Sequence, residues 1–185
     1  MIGSYVPSLV IISILVAVLA SYTALDLAGR VATAKGRSAY LWMIGGGFAM
    51  GIGIWSMHFI GMLAFVLPIE LGYDLPLTLC SLLIAMLSSG FALWLVSQPT
   101  LPFTHLALGA LLMGAGISCM HYLGMAALRM HPVIDYDPLL FVLSLAIAVA
   151  ASAAALWIAF SLRQNTPHIY LARCAAALVM GLAIV

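Results

Sequence analysis

Two stretches of this chain place a histidine among methionines inside an apolar run: "SMHFIGM" at residues 56–62 and "SCMHYLGM" at residues 118–125. Imidazole and thioether together make a soft donor set, which suits copper and Cu(I) above all. An α-helix advances about 100° per residue, so positions i, i+3, i+4 and i+7 share a face. On a helix, His58 would share its face with Gly47, Gly51, Ile54, Met62 and Phe65. His121 would share its face with Ala110, Gly114, Ile117, Met125 and Leu128. Met57 and Met120 are rotated about 100° from their histidines and reach a common site only if it lies between helices. The candidate metal ligands are therefore His58, His121, Met57, Met62, Met120 and Met125. Zinc would more typically recruit thiolate or carboxylate, and neither shares these faces. Cys119 lies nearly opposite His121 on the helix and reads as a buried small residue. Haem stays open as an alternative, because two histidines, or a histidine and a methionine, can be axial ligands.

A plainer reading competes with this one. A single intramembrane histidine often joins two helices by a hydrogen bond, and methionine is common filler. Ionisable residues in spans are costly and usually functional, however, and here they recur in register. Residues 50–62 read "MGIGIWSMHFIGM" and residues 113–125 read "MGAGISCMHYLGM", at a constant offset of 63 without a gap. Residues 180–185, "MGLAIV", repeat the opening of that pattern. Weaker echoes, "YTAL" (22–25), "GFALWL" (90–95) and "AAALWI" (153–158), lie between these copies. The repeating unit is thus a helix pair of about 65 residues, met nearly three times. In the same register a third histidine would fall three residues past Val185. One domain over residues 1–185, cut short before its third motif, is the expectation.

The elements that position these residues follow from composition. Of 185 residues, 66% are hydrophobic and 6% charged, where a soluble domain carries roughly a quarter charged. The expected fold is all-α, a polytopic transmembrane bundle of repeated helix pairs. A net charge of +1 gives no basis for nucleic-acid binding. Cys80, Cys119 and Cys174 show no CxxC spacing. The first 25 residues resemble a signal peptide, but the start carries no Lys or Arg, so this is a first span.

A crossing helix needs about 20 mostly apolar residues. Spans are expected near 6–26, 40–62, 75–96, 104–127 and 138–162, with a sixth from about 168, and "SQPTLP" (97–102) is a turn. Arg30, Lys35, Arg37, Arg163 and Arg173 fall on one side; Glu70, Asp74, Asp135 and Asp137 fall on the other, with Arg129 as the exception. Basic loops stay cytoplasmic, so the N-terminus is expected outside, with both histidines near the outer face. His105 and His168 fall at cytoplasmic entrances, and His131 and Glu70 in outer loops. Asp26 and Arg30 are spaced to pair at i+4. Trp42, Trp94 and Trp157 read as interface anchors. No Ser-His-Asp arrangement, phosphate-binding glycine loop or carboxylate pair stands out.

Met57-His58-Phe59 and Met120-His121-Tyr122, each followed by x-Gly-Met, resemble the repeated motif of the MHYT domain, a sensory module of bacterial integral-membrane signalling proteins. The resemblance covers essentially the whole chain. It implies a seven-helix module with three motifs in the bacterial cytoplasmic membrane. Such a module is proposed to bind copper and sense oxygen, carbon monoxide or nitric oxide. It also implies fusion to cytoplasmic diguanylate cyclase and cyclic-di-GMP phosphodiesterase domains. The chain departs from the pattern at Ile60 and Leu123, where the family has Thr, and at Phe59, where it has Tyr. A motif-borne hydroxyl thus survives only at Tyr122. The expected function is a non-enzymatic signal-input domain acting in the bilayer on a gas, on copper or on redox state. The alternatives are a metal or small-molecule transporter, a haem-bearing electron-transfer protein, and a scaffold in which the histidines only join helices.

Overall fold

The computed structural model describes residues 4–66, 72–129, 136–164 and 169–184. The order of elements is β1 (Ser4–Tyr5), α1 (Pro7–Thr33), α2 (Arg37–Ala64), β2 (Phe65–Val66), β3 (Gly72–Tyr73), α3 (Leu75–Val96), α4 (Phe103–Ala126), β4 (Leu128–Arg129), α5 (Pro138–Ser161) and α6 (Ile169–Ile184). The five helices α1 to α5 are long and apolar enough to cross a membrane. The odd helices begin alike. Each has proline in its first turn, where the missing N–H breaks no helical bond. Asp74 caps α3 by accepting from Leu77 N–H, and Asp137 caps α5 by accepting from Leu139 and Leu140 N–H.

Boundaries differ from the expected spans where local chemistry allows it. Helix α1 runs on to Thr33 rather than stopping near residue 26. Asp26 accepts from Arg30 Nε at 2.6 Å, so the two charges neutralise each other, and no proline interrupts the chain between them and Gly36. Gly36 then turns the chain with φ 56°, a conformation that favours glycine. Helices α2 and α4 end at Ala64 and Ala126, so Phe65 and Leu128 leave the histidine face and enter strands. The all-α fold therefore carries two small antiparallel ribbons, β1 with β2 and β3 with β4. Phe65 pairs with Tyr5, and Leu128 with Tyr73. Val6 N–H to Ala64 O and Asp74 N–H to Ala127 O, both 2.8 Å, close the two ribbons alike. The backbone thereby satisfies itself at the helix ends.

Close backbone approaches fix how the helices associate. A Cβ on Gly51 of α2 would stand 2.5 Å from Met86 Cα of α3. On Gly114 of α4 it would stand 2.8 Å from Val149 Cα of α5, and on Gly181 of α6, 2.8 Å from Val18 Cα of α1. Val18, Met86 and Val149 are themselves spaced by 68 and 63 residues. The same contact thus occurs three times and closes a ring, in which α6 packs on α1 and touches α5 only sparsely. Such glycine-mediated approach drives association where lipid competes for apolar surface. At one end the odd helices converge: Ala28 of α1, Ala92, Leu95 and Val96 of α3 and Leu156 of α5 form one buried cluster, with Ala159 packed against it.

Charged side chains brace that end. Arg163 donates to the carbonyls of Val96 (2.6 Å) and Pro99 (2.9 Å), clamping the expected α3–α4 turn, and lies over the Phe160 ring at 3.9 Å. Arg173 of α6 is 2% exposed, donates to Leu162 O and pairs with Asp26 at 3.3 Å. Asp26 therefore serves two arginines, of which spacing alone identified one.

Candidate metal centre

Helices α2 and α4 bring His58 and His121 together. Their ring centroids are 4.7 Å apart, with 56° between the planes. The two rings lie at one depth because the histidines occupy equivalent registers of the repeat. Gly124 makes room for this: a Cβ there would stand 3.2 Å from His58 Nε2. Among the described residues His58 Nε2, although buried, has no hydrogen-bond partner. A buried polar atom without a partner is costly, so its nitrogen is a free donor atom facing the neighbouring motif.

Met57 and Met120 are buried, and Met62 and Met125 are half-buried. Among the described residues no three His, Cys, Asp or Glu side chains gather as a metal would require, so any site here rests on the histidines and softer donors. Cys119 is exposed rather than buried, as are Cys80 and Cys174. Its place nearly opposite His121 turns it outward once His121 faces the bundle.

The histidine layer is held by side chains that motif spacing did not single out. Ser13 of α1 donates to Met57 O at 2.9 Å, tying α1 beside His58. Tyr122 shares a 2.6 Å hydrogen bond with Ser144 of α5, and its ring packs on Phe141 and Tyr136. In the other copy Phe59 has no hydroxyl to offer the equivalent serine, Ser81. Trp55 supplies the donor instead, with Nε1 3.0 Å from Ser81 Oγ, and stacks on Phe59 at 4.4 Å. Ser13, Ser81 and Ser144 are spaced by 68 and 63 residues, the spacing of the odd helices. That pattern is present in the sequence, where the Ala-Leu echoes are the more conspicuous sign of the repeat.

The remaining candidates stay apart from the histidines. His105 is exposed at the start of α4. Trp42, Trp94 and Trp157 are exposed on the bundle surface, and Arg30 lies over the Trp42 ring at 5.0 Å. Glu70, His131, Asp135 and His168 lie outside the described residues. Outside the spans, Arg129 donates to Asp74 at 2.6 Å, and this bond, then the Leu77 N–H, holds the carboxyl below its usual range. Burial pushes the Tyr73 hydroxyl up.

The family model MHYT, described as "Bacterial signalling protein N terminal repeat", matches residues 51–109 and 114–172. The chain is 68% identical over all 185 residues to the bifunctional diguanylate cyclase/cyclic di-GMP phosphodiesterase MucR of Pseudomonas aeruginosa, of which it covers 27%. It is 46% identical over 153 residues, 83% of its length, to the cyclic di-GMP phosphodiesterase NbdA of the same organism, covering 19% of that protein. It is 36% identical over 183 residues, 98% of its length, to the signaling protein YkoW of Bacillus subtilis, covering 23%. The chain thus spans about a quarter or less of these relatives. No solved structure matches it. The chain belongs to the MHYT family.

Proposed function

We propose that this MHYT-family chain is a membrane-embedded input domain that holds copper between His58 and His121. Through that site it senses a diatomic gas (oxygen, carbon monoxide or nitric oxide), or copper and its redox state, and so sets cyclic-di-GMP turnover by fused cytoplasmic domains. The observation that carries the reading is the 4.7 Å approach of the two imidazoles with His58 Nε2 unpartnered. Two rings so close suit adjacent ligands of one small ion. Opposite axial ligands of haem would stand on either side of a macrocycle, which this spacing does not favour.

Within this reading His58 and His121 supply the imidazole nitrogens, and Met57, Met62, Met120 and Met125 the neighbouring thioethers. Bound copper would supply a soft, redox-active centre able to take a diatomic ligand. Helix α2 presents an apolar groove of about 350 Å³, lined by Trp55, Phe59, Ile60 and Tyr73, on a face adjoining the first motif. A small apolar gas partitions into such a groove from lipid. Ser13 on Met57 O, Ser81 on Trp55 and Ser144 on Tyr122 link the histidine layer to each odd helix, so a displacement there is felt by all three. Signalling needs different ligand affinities in two helix arrangements.

In this reading the convergent end of α1, α3 and α5 lies at the cytoplasm and the histidines lie towards the periplasm of the inner membrane, N-terminus outside; the basic residues gathered at that end support it. Catalysis belongs to the longer protein, as the names of MucR and NbdA suggest. Transport is disfavoured, because Ala28, Ala92, Leu95, Val96 and Leu156 close the bundle at that end.

Elemental analysis of the full-length protein, wild type beside a His58→Ala/His121→Ala variant, tests the site. Copper near one per chain in the wild type and its loss from a folded variant is expected. Equal metal in both, or none in either after reconstitution with Cu(I), would remove the copper assignment.

A further inference from the structure

The odd helices carry a second repeated feature that the histidine layer does not use. Each reads Ser-x3-Ala-x3-Ser-x3-Leu: Ser13, Ala17, Ser21, Leu25 in α1; Ser81, Ala85, Ser89, Leu93 in α3; and Ser144, Ala148, Ser152, Leu156 in α5. The first serine of each helix serves the histidine layer. The second serines, Ser21, Ser89 and Ser152, are 5%, 2% and 2% exposed.

Their direction follows from the helix period. Seven residues make close to two turns, so each of these serines lies over the residue one heptad further on. Those residues are Ala28, Val96 and Ala159, which meet in the cluster where the odd helices converge. Ser21, Ser89 and Ser152 thus face the same central axis, about 10 Å from that cluster at 1.5 Å rise per residue.

Hydroxyls within helices ordinarily satisfy themselves on the carbonyl four residues back. Thr23 does so on Leu19 O, Thr33 on Gly29 O and Ser161 on Trp157 O. Ser89 Oγ and Ser152 Oγ do not: both are buried, and among the described residues neither has any hydrogen-bond partner. Two unsatisfied hydroxyls at equivalent positions, facing one axis beside a third, describe a place for a small hydrogen-bonding molecule rather than a packing accident. A buried water needs two to four polar partners, and three hydroxyls provide them.

We propose that Ser21, Ser89 and Ser152 form an internal water-binding layer on the pseudo-three-fold axis. It lies between the histidine pair and the apolar plug of Ala28, Val96 and Ala159. The layer does not depend on metal at the histidines.

The sign of a stability change tests it. Removing a buried hydroxyl that has no partner relieves a desolvation cost and stabilises, whereas removing one that holds a shared water destabilises. Thermal unfolding of the full-length protein in lipid nanodiscs is to be compared for wild type, Ser89→Ala, Ser152→Ala and the double variant. Each single change is expected to lower the midpoint by about 2–4 °C per kcal/mol lost. The double variant is expected to fall by less than the sum, because both hydroxyls hold the same water. Midpoints that are unchanged, raised or strictly additive would overturn the proposal. Should the alanine variants fail to fold, Ser89→Cys and Ser152→Cys keep the side-chain shape, at slightly larger size, while weakening the hydrogen bond, and the same comparison applies. Independently, a map that resolves ordered water must show density between the three hydroxyls; an empty or closed axis there would overturn it as well.

Discussion

His58 and His121, 63 residues apart in the chain, stand with their rings 4.7 Å apart between α2 and α4, and Gly124 leaves the space that His58 Nε2 occupies. That relationship makes glycine at 124 a requirement of the site rather than of the helix. Gly124→Ala would place a Cβ 3.2 Å from the nitrogen and force the ring aside. On the proposed copper reading, the copper content of the folded variant should fall several-fold, and Gly124→Val should lose it. Metal analysis checks this beside circular dichroism, which should show the helices unchanged.

The ring-closing glycines should be intolerant in a graded way. Gly51→Ala or Gly114→Ala sets a Cβ against the backbone of Met86 or Val149, which cannot move like a side-chain tip. Overpacking of this kind costs about 1–3 kcal/mol. Gly45, exposed on α2 with nothing within 4 Å of a Cβ, is the control. Gly45→Ala should be neutral or gain up to about 1 kcal/mol from helix propensity. Thermal midpoints in nanodiscs separate the two cases.

The indole of Trp55 takes over the role of the missing tyrosine hydroxyl in the first motif. Tyr122→Phe should lose about 0.5–1.5 kcal/mol with its bond to Ser144. Trp55→Phe should cost at least as much, since it also empties the stack on Phe59. Adding Phe59→Tyr to Trp55→Phe should recover part of the loss by restoring a donor to Ser81. A double-mutant cycle on unfolding midpoints measures that recovery.

Asp26 and Arg173 should respond unequally to substitution. Asp26→Asn leaves the Arg173 guanidinium buried against Leu162 O without its carboxylate, a loss towards the lower end of about 3–5 kcal/mol. Arg173→Met removes the buried charge and leaves Asp26 paired with Arg30, so its cost should be smaller. Comparing the two variants in one unfolding series gives the order.

The Asp74–Arg129 pair sets an acid limit on the ribbon that joins β3 and β4. The folded carboxyl is held below the ordinary aspartate value of 3.8, so its contribution is present above that value and is lost as pH falls through the lower folded one. Arg129→Gln should lower neutral stability slightly, because the pair is largely exposed, and narrow the gap between neutral and acid stability by the same small amount. Unfolding midpoints from pH 2 to 7 read the difference.

Much of this protein is legible in its amino-acid pattern. The register of 63 residues, the proline-led starts and the spacing of His58 and His121 mark repeated helices with equivalent faces, and they carry the family. Gly51 and Gly114, which the motif pattern sets on the histidine faces, are where the backbone of a neighbouring helix comes close to α2 and α4. The same pattern misleads at Cys119, which it buries, and at Phe65, which it keeps on the helix. Outward facing at 119 and the end of α2 at Ala64 depend on neighbours that local pattern does not contain.

Sequence by itself determined the number of helices, their repeat and the residues held in common by its copies. Tertiary structure alone decided which faces meet. In a chain that is two-thirds apolar, hydrophobic periodicity cannot separate a face turned to lipid from one turned to protein, because both are greasy. Small residues and hydroxyls make that distinction, and their partners lie far away: Ser13 on Met57 O across 44 residues, and Arg173 on Asp26 across 147. The closing of α6 onto α1 brings such partners together, and no local pattern specifies it.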